Sequence, residues 1–131
     1  MSDSPHTTST SHKAINFAEK LGKFDSLWSP KVIAEMNDYQ FKIVKLEGEF
    51  VWHQHEDTDE TFIVLEGSLN IAFRDGNVTI NQGEMYVVPK GVEHKPIAEK
   101  LVKAIIIEPR GVVNTGDSDK GDLTAENDVW I

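Results

Sequence analysis

At 131 residues, with 39% apolar and 27% charged side chains, the chain has room for one domain built on one core. Its 22 acidic against 13 basic residues leave a net charge of −9, which argues against the basic face that a nucleic-acid backbone or an anionic membrane needs. With no cysteine, disulfide frameworks, thiolate metal sites and cysteine nucleophiles are excluded.

Residues 1–11 are polar and lack an apolar h-region, so they read as a flexible N-terminus and not as a signal peptide. Residues 12–31 predict a short helix and a linker. Ala14, Phe17, Ala18 and Leu21 recur at helical spacing over 12–21, Ser11 is placed to cap the helix, and Gly22 to stop it. Nothing in the chain approaches the roughly 18 consecutive apolar residues of a membrane helix. A cytoplasmic protein is therefore expected.

From about Val32 the pattern changes to strands. Tyr39 to Ile43 alternates, and Phe50-Val51-Trp52 runs into a pair of histidines. Phe62 to Leu65 is a compact apolar run closed by Gly67. Leu69, Ile71 and Phe73 alternate with their neighbours, Asp75-Gly76 marks a tight hairpin, and Val78 and Ile80 start the return strand. Met85 to Val88 is a further strand, stopped by Pro89-Lys90-Gly91, and Leu101 to Glu108 is the last. Short strands punctuated by Gly and Pro predict an all-β sandwich or barrel over 32–113. Phe62–Leu65 and Ile105–Ile107 are apolar on both faces and need cover on both, from the N-terminal segment, a second sheet or another subunit. Residues 114–131 read as a polar surface tail whose final Val129-Trp130-Ile131 can dock back.

The chemistry concentrates in two short stretches. His53-Gln54-His55 is followed after four residues by Glu60 and after six more by Gly67. Gly83 is followed after five residues by Pro89-Lys90-Gly91 and then, after two, by His94. In a strand, His53 and His55 point to one face. A turn over Glu56–Asp59 lets Glu60 return beside them, and a second turn delivers His94. One histidine on an apolar strand is more often structural, but four ligand types and four turn residues agree here. Three neutral imidazoles and one carboxylate suit Zn, Fe, Mn, Co or Ni, and around a divalent ion they leave a net charge of about +1. Glu56, Asp57 and Asp59 read as turn residues, His6 and His12 as solvated, and Trp52 as packing or interface. Phe62 and Val64 share parity with Glu60 and are candidates for the pocket wall; Lys90 and Lys95 are surface lysines near His94.

The two stretches resemble the two signature motifs of the cupin superfamily, over residues 48–98 strictly and 32–110 more loosely. The resemblance implies a double-stranded β-helix, a small jelly-roll barrel, with His53, His55, Glu60 and His94 as metal ligands. The 15-residue spacer between Gly67 and Gly83 is similar to that of small single-domain bacterial cupins, often labelled mannose-6-phosphate-isomerase-like, a label of fold kinship and not of activity. Two positions depart from the pattern. Glu47 stands where the first motif opens on glycine, with Gly48 one place late, and Ala98 stands where asparagine is frequent, a change expected to alter local turn bonding. The implied function is a metal-dependent enzyme of isomerase, lyase or dioxygenase type. Its substrate would be a small oxygen-rich metabolite, anionic ones included. The alternative is a non-catalytic binder of a small molecule or metal. A homodimer is expected, because cupin barrels commonly pair. No residue identifies itself as a separate general base.

Overall fold

The computed structural model describes residues 12–131. One short helix, α1 (Phe17–Leu21), precedes seven strands: β1 (Lys31–Met36), β2 (Tyr39–Glu49), β3 (Glu60–Glu66), β4 (Ser68–Phe73), β5 (Gly76–Asn81), β6 (Met85–Val88) and β7 (His94–Pro109). The fold is all-β and antiparallel, as expected. The helix is shorter than the periodicity of 12–21 predicts. Asn16 caps it, its side-chain oxygen accepting from the Glu19 N–H at 2.9 Å, and Gly22 ends it. Ser11 lies outside the described residues. None of the helix residues is buried, so packing gives the earlier turn no reason to form.

A long ribbon of β2 and β7 organises the barrel. It is paired from Tyr39↔Pro109 to Glu49↔Ile97. The second half of β7 also pairs with β3, and β3 with β6; the first half pairs with β4, and β4 with β5. β7 thus crosses from one sheet into the other, and β1 closes the open edge of β2. The β2–β7 register shifts between Leu46 and Gly48, where Gly48 adopts φ +91° opposite Ala98. The two departures from the cupin pattern therefore face one another across this ribbon. Ala98 is buried within β7 and takes part in no turn, contrary to the effect expected of it.

Side chains facing inward from both sheets, among them Val44, Leu46, Val64, Leu69, Ile71 and Val102, form the main core. Each such burial is worth roughly 1.5–3 kcal/mol. The outer face of the first sheet carries a second cluster, Ile33, Ile43 and Ile105, covered by Leu21, Phe24 and Ile131. The apolar outer faces of β3 and β7 are thus partly covered by both ends of the described chain. The terminal residues do dock: the Val32 N–H donates to the Val129 carbonyl at 2.7 Å and the Ile131 N–H to the Val32 carbonyl at 3.2 Å. The preceding segment is no free tail either. Thr115 is buried, and Asn114 donates from Nδ2 to the carbonyls of Trp28 and Leu123 at 3.0 and 2.8 Å.

Candidate metal centre

His53 and His55 lie on an irregular segment between β2 and β3 and not on a strand; only His53 makes a bridge, to His94. Glu60 is the first residue of β3 and His94 the first of β7. Four bonds from backbone N–H groups tie the two motif stretches together. The His53 and His94 backbones exchange N–H···O bonds at 3.0 and 2.9 Å, and the Gly91 N–H donates to the His55 carbonyl at 2.9 Å. The Lys90 N–H donates to Asp59 Oδ1, also at 2.9 Å. Asp59 is therefore the clasp between the two turns, a structural role for a residue that reads as a simple turn acid.

The result is a convergent, dry cluster. One ligand atom from each of His53, His55, Glu60 and His94 lies within 4.8 Å of the other three, and the residues are 3, 7, 4 and 1% exposed. His53 Nδ1 and His94 Nδ1 each sit 2.9 Å from the carbonyl two residues earlier, Val51 and Val92. A carbonyl only accepts, so each Nδ1 carries the proton; His53 Nε2 keeps its lone pair, while His94 Nε2 lies 3.3 Å from Glu60 Oε1, a contact that a cation between them would replace. His55 Nε2 is 3.4 Å from Glu60 Oε1, but not in hydrogen-bonding geometry; it is buried without a partner among the described residues. An orphaned imidazole nitrogen beside two Nε2 atoms and a carboxylate is the donor set that a divalent cation satisfies.

Electrostatics agree. Burial, helped by His94, lowers His53 to about 4, so its imidazole is neutral at physiological pH, as ligation requires. His55 is raised; burial opposes this, but the Glu60 carboxylate outweighs it. Burial would raise Glu60, yet the hydrogen bond with His94 and the charges of His55 and His94 hold it below the usual carboxylate range. Aromatic rings fix the imidazoles in place: Phe50 meets His53 edge-on at 5.3 Å and Phe62 meets His94 edge-on at 6.5 Å.

A cavity of about 30 Å³ adjoins the cluster, its wall including His53, Glu60, Phe62, Trp28, Asn114 and Glu108. At about 10–15 Å³ per water this is space for about two or three waters. Phe62 lines it, as parity with Glu60 predicts; Val64 packs in the core instead. Trp52 is not in that wall; the Arg74 guanidinium covers its ring at 3.8 Å. Lys95 pairs with Glu49 at 2.8 Å and is not turned to the site.

Two residues of this wall, Trp28 and Glu108, and the partner of one of them, Lys42, escape sequence reasoning. Trp28 stacks on Phe50 at 4.6 Å. Lys42 and Glu108 form an ion pair at 2.8 Å inside the barrel, at 3 and 1% exposure. Burial pushes the Glu108 carboxyl up, to about 8, and the Glu60 charge adds to this while Lys42 opposes it. A cation held by Glu60 would remove the second of these upward causes.

The cupin-domain family model matches residues 41–109, more than half the chain. Crystal structures of two proteins are similar. A cupin-2 domain protein of Shewanella frigidimarina is 69% identical, with TM-score 0.73 over 73% of this chain and 94% of its own. A Neisseria meningitidis protein is 36% identical, with TM-score 0.67 over 74% and 99%. The uncharacterized protein YdbB of Bacillus subtilis is 41% identical over 87 residues, 58% of this chain and 77% of its own. Two motifs, a β barrel with His53, His55, Glu60 and His94 gathered in its interior, and these relatives lead to one conclusion: the chain belongs to the cupin family.

Proposed function

We propose that the protein is a metal-dependent enzyme, of isomerase, lyase or dioxygenase type, acting in the cytoplasm on a small oxygen-rich metabolite. His53, His55, Glu60 and His94 would hold one divalent ion, Zn, Fe, Mn, Ni or Co. The observation that carries this reading is the partnerless, buried His55 Nε2 set among two carbonyl-oriented imidazoles and a carboxylate. When bound, such an ion supplies a Lewis acid with positions open to substrate oxygens. The protein's own contribution is orientation and dryness. Val51 and Val92 fix the imidazole tautomers, and Phe50 and Phe62 exclude water.

A non-catalytic binder is the second reading, favoured by the narrowness of the cavity and by Asn114, which closes its wall. Elemental analysis, melting shifts and turnover assays on purified protein separate the two. Metal with turnover of a sugar, keto acid or phenol supports the enzyme. Metal with a stabilising ligand and no turnover supports the binder. Absence of metal after reconstitution rejects both. We also propose a homodimer, supported by Met85 and Val87 of the edge strand β6, 58 and 42% exposed, beside half-buried Ile63. Sedimentation giving a mass near 15 kDa alone would reject it.

A further inference from the structure

We propose that Glu108 is the ligand-facing hydrogen-bond acceptor of this cavity. The molecules the site takes are then small oxygen chelators that keep a free O–H or N–H donor beside their chelating atoms. The inference rests on the metal reading above and deepens it.

The barrel register places Glu108 where it can serve. Gln40 of β2 lies directly opposite Glu108 of β7. Thr61↔Ile107 pairs β3 with β7, so Glu60 falls opposite Glu108 one step further along the same register. Gln40, Glu108 and Glu60 therefore share one rung, and all three are buried. Glu108 lies outside the ligand set: the gathered atoms are those of His53, His55, Glu60 and His94. It nevertheless walls the same cavity as His53 and Glu60.

Its two oxygens differ. Oε2 accepts from Lys42 Nζ at 2.8 Å. Oε1 is buried and has no hydrogen-bond partner among the described residues. Lys42 is taken up by Oε2 and, at 3.5 Å, by the Val112 carbonyl. A pair serving stability alone is better replaced by hydrocarbon, because desolvation cancels most of its attraction. An orphaned carboxylate oxygen is costlier still, unless something bound in the cavity donates to it. With the Glu60 charge taken up by the cation and Lys42 on Oε2, Glu108 is held as the carboxylate. An anionic edge would be repelled there, so the part of the ligand that meets Glu108 is a protonated donor, and any charge it carries points elsewhere.

The test uses the full chain loaded with cobalt(II), whose visible spectrum reports ligand binding, and two probes. Acetohydroxamic acid chelates through oxygen and keeps an N–H; its N-methyl analogue lacks that donor. The wild type is expected to bind both, and Glu108→Gln to shift the preference between them. Lys42 would hold the amide oxygen and turn the NH2 to the cavity. Affinity for acetohydroxamic acid should then fall by about tenfold or more, while that for the N-methyl analogue stays within about twofold. Lys42→Met/Glu108→Leu, an apolar pair of similar volume, should keep its cobalt, melt no lower than the wild type and lose the same preference. Unchanged preference in either variant, or cobalt-loaded wild type that ignores acetohydroxamic acid, overturns the proposal and leaves the metal reading standing. Wild type that takes up no cobalt overturns both.

Discussion

Val51 and Val92 contribute only backbone carbonyls to the centre, yet they decide which nitrogen of His53 and of His94 is turned to the cluster. Nitrogen-detected NMR of the metal-free protein should show His53 as the Nδ1–H tautomer, neutral until about pH 4. Titration near its ordinary 6.5 would contradict its burial. The linkage follows in sign. A histidine with a depressed native value costs stability as pH falls through the window from 6.5 to about 4. Glu108 works the other way: its raised value makes its contribution fully present below 4.5 and lost as pH rises to about 8. In melting curves of the metal-free protein, Glu108→Gln should therefore gain on the wild type as pH rises through that window. A difference that is flat with pH would show that Glu108 is not perturbed in the native barrel.

The elements were largely legible. The glycines and prolines that end strands in the sequence end them in the barrel, because the turns they form have few alternatives. Gly67 shows why: its φ is +93°, and a Cβ there would meet the Leu101 carbonyl oxygen at 2.9 Å. Gly67→Ala should cost roughly 1–3 kcal/mol in chemical denaturation, and a neutral result would refute the close approach. Less legible was β2. The alternation Tyr39-Gln40-Phe41-Lys42-Ile43 ordinarily puts the polar set outside, but here Gln40 and Lys42 face the interior. Phe41 and Ile43 face the outer cluster under Leu21 and Phe24. Pattern alone cannot choose between two faces when both are covered, so the Lys42–Glu108 pair went unseen. The ties of the polar C-terminal segment to the barrel are not visible in its composition either. Its polar side chains bind backbone, as Asp117 does in accepting from the Gln54 N–H at 2.8 Å. Gly116 backs so closely onto Gln54 and His53 that a side chain would not fit. Gly116→Ala should lower the melting temperature by several degrees, at about 3–6 °C per kcal/mol for a chain of this length. An unchanged melting temperature would show that the segment does not press on the barrel.

At the scale of the whole molecule, candidate ligands separated by more than thirty residues, Glu60 and His94, are joined in one dry centre. Metal binding should therefore stabilise the barrel as a unit. Chelation by EDTA is expected to lower the melting temperature of the wild type and to leave His94→Ala unmoved; equal shifts in both would place the ion elsewhere. The convergence of His53, His55, Glu60 and His94 could be read from the sequence because their spacing and the turns between them specify each other. The residues that would choose a substrate could not, since they come from β2, β7 and the linker at Trp28, far apart in the chain. The most direct measurement is anomalous diffraction at the absorption edge of the reconstituted metal. The account predicts one peak per chain, about 2.0–2.2 Å from nitrogens of His53, His55 and His94 and from a Glu60 oxygen. A peak at any other group of side chains, or a fully reconstituted crystal with no peak among these four, would contradict it.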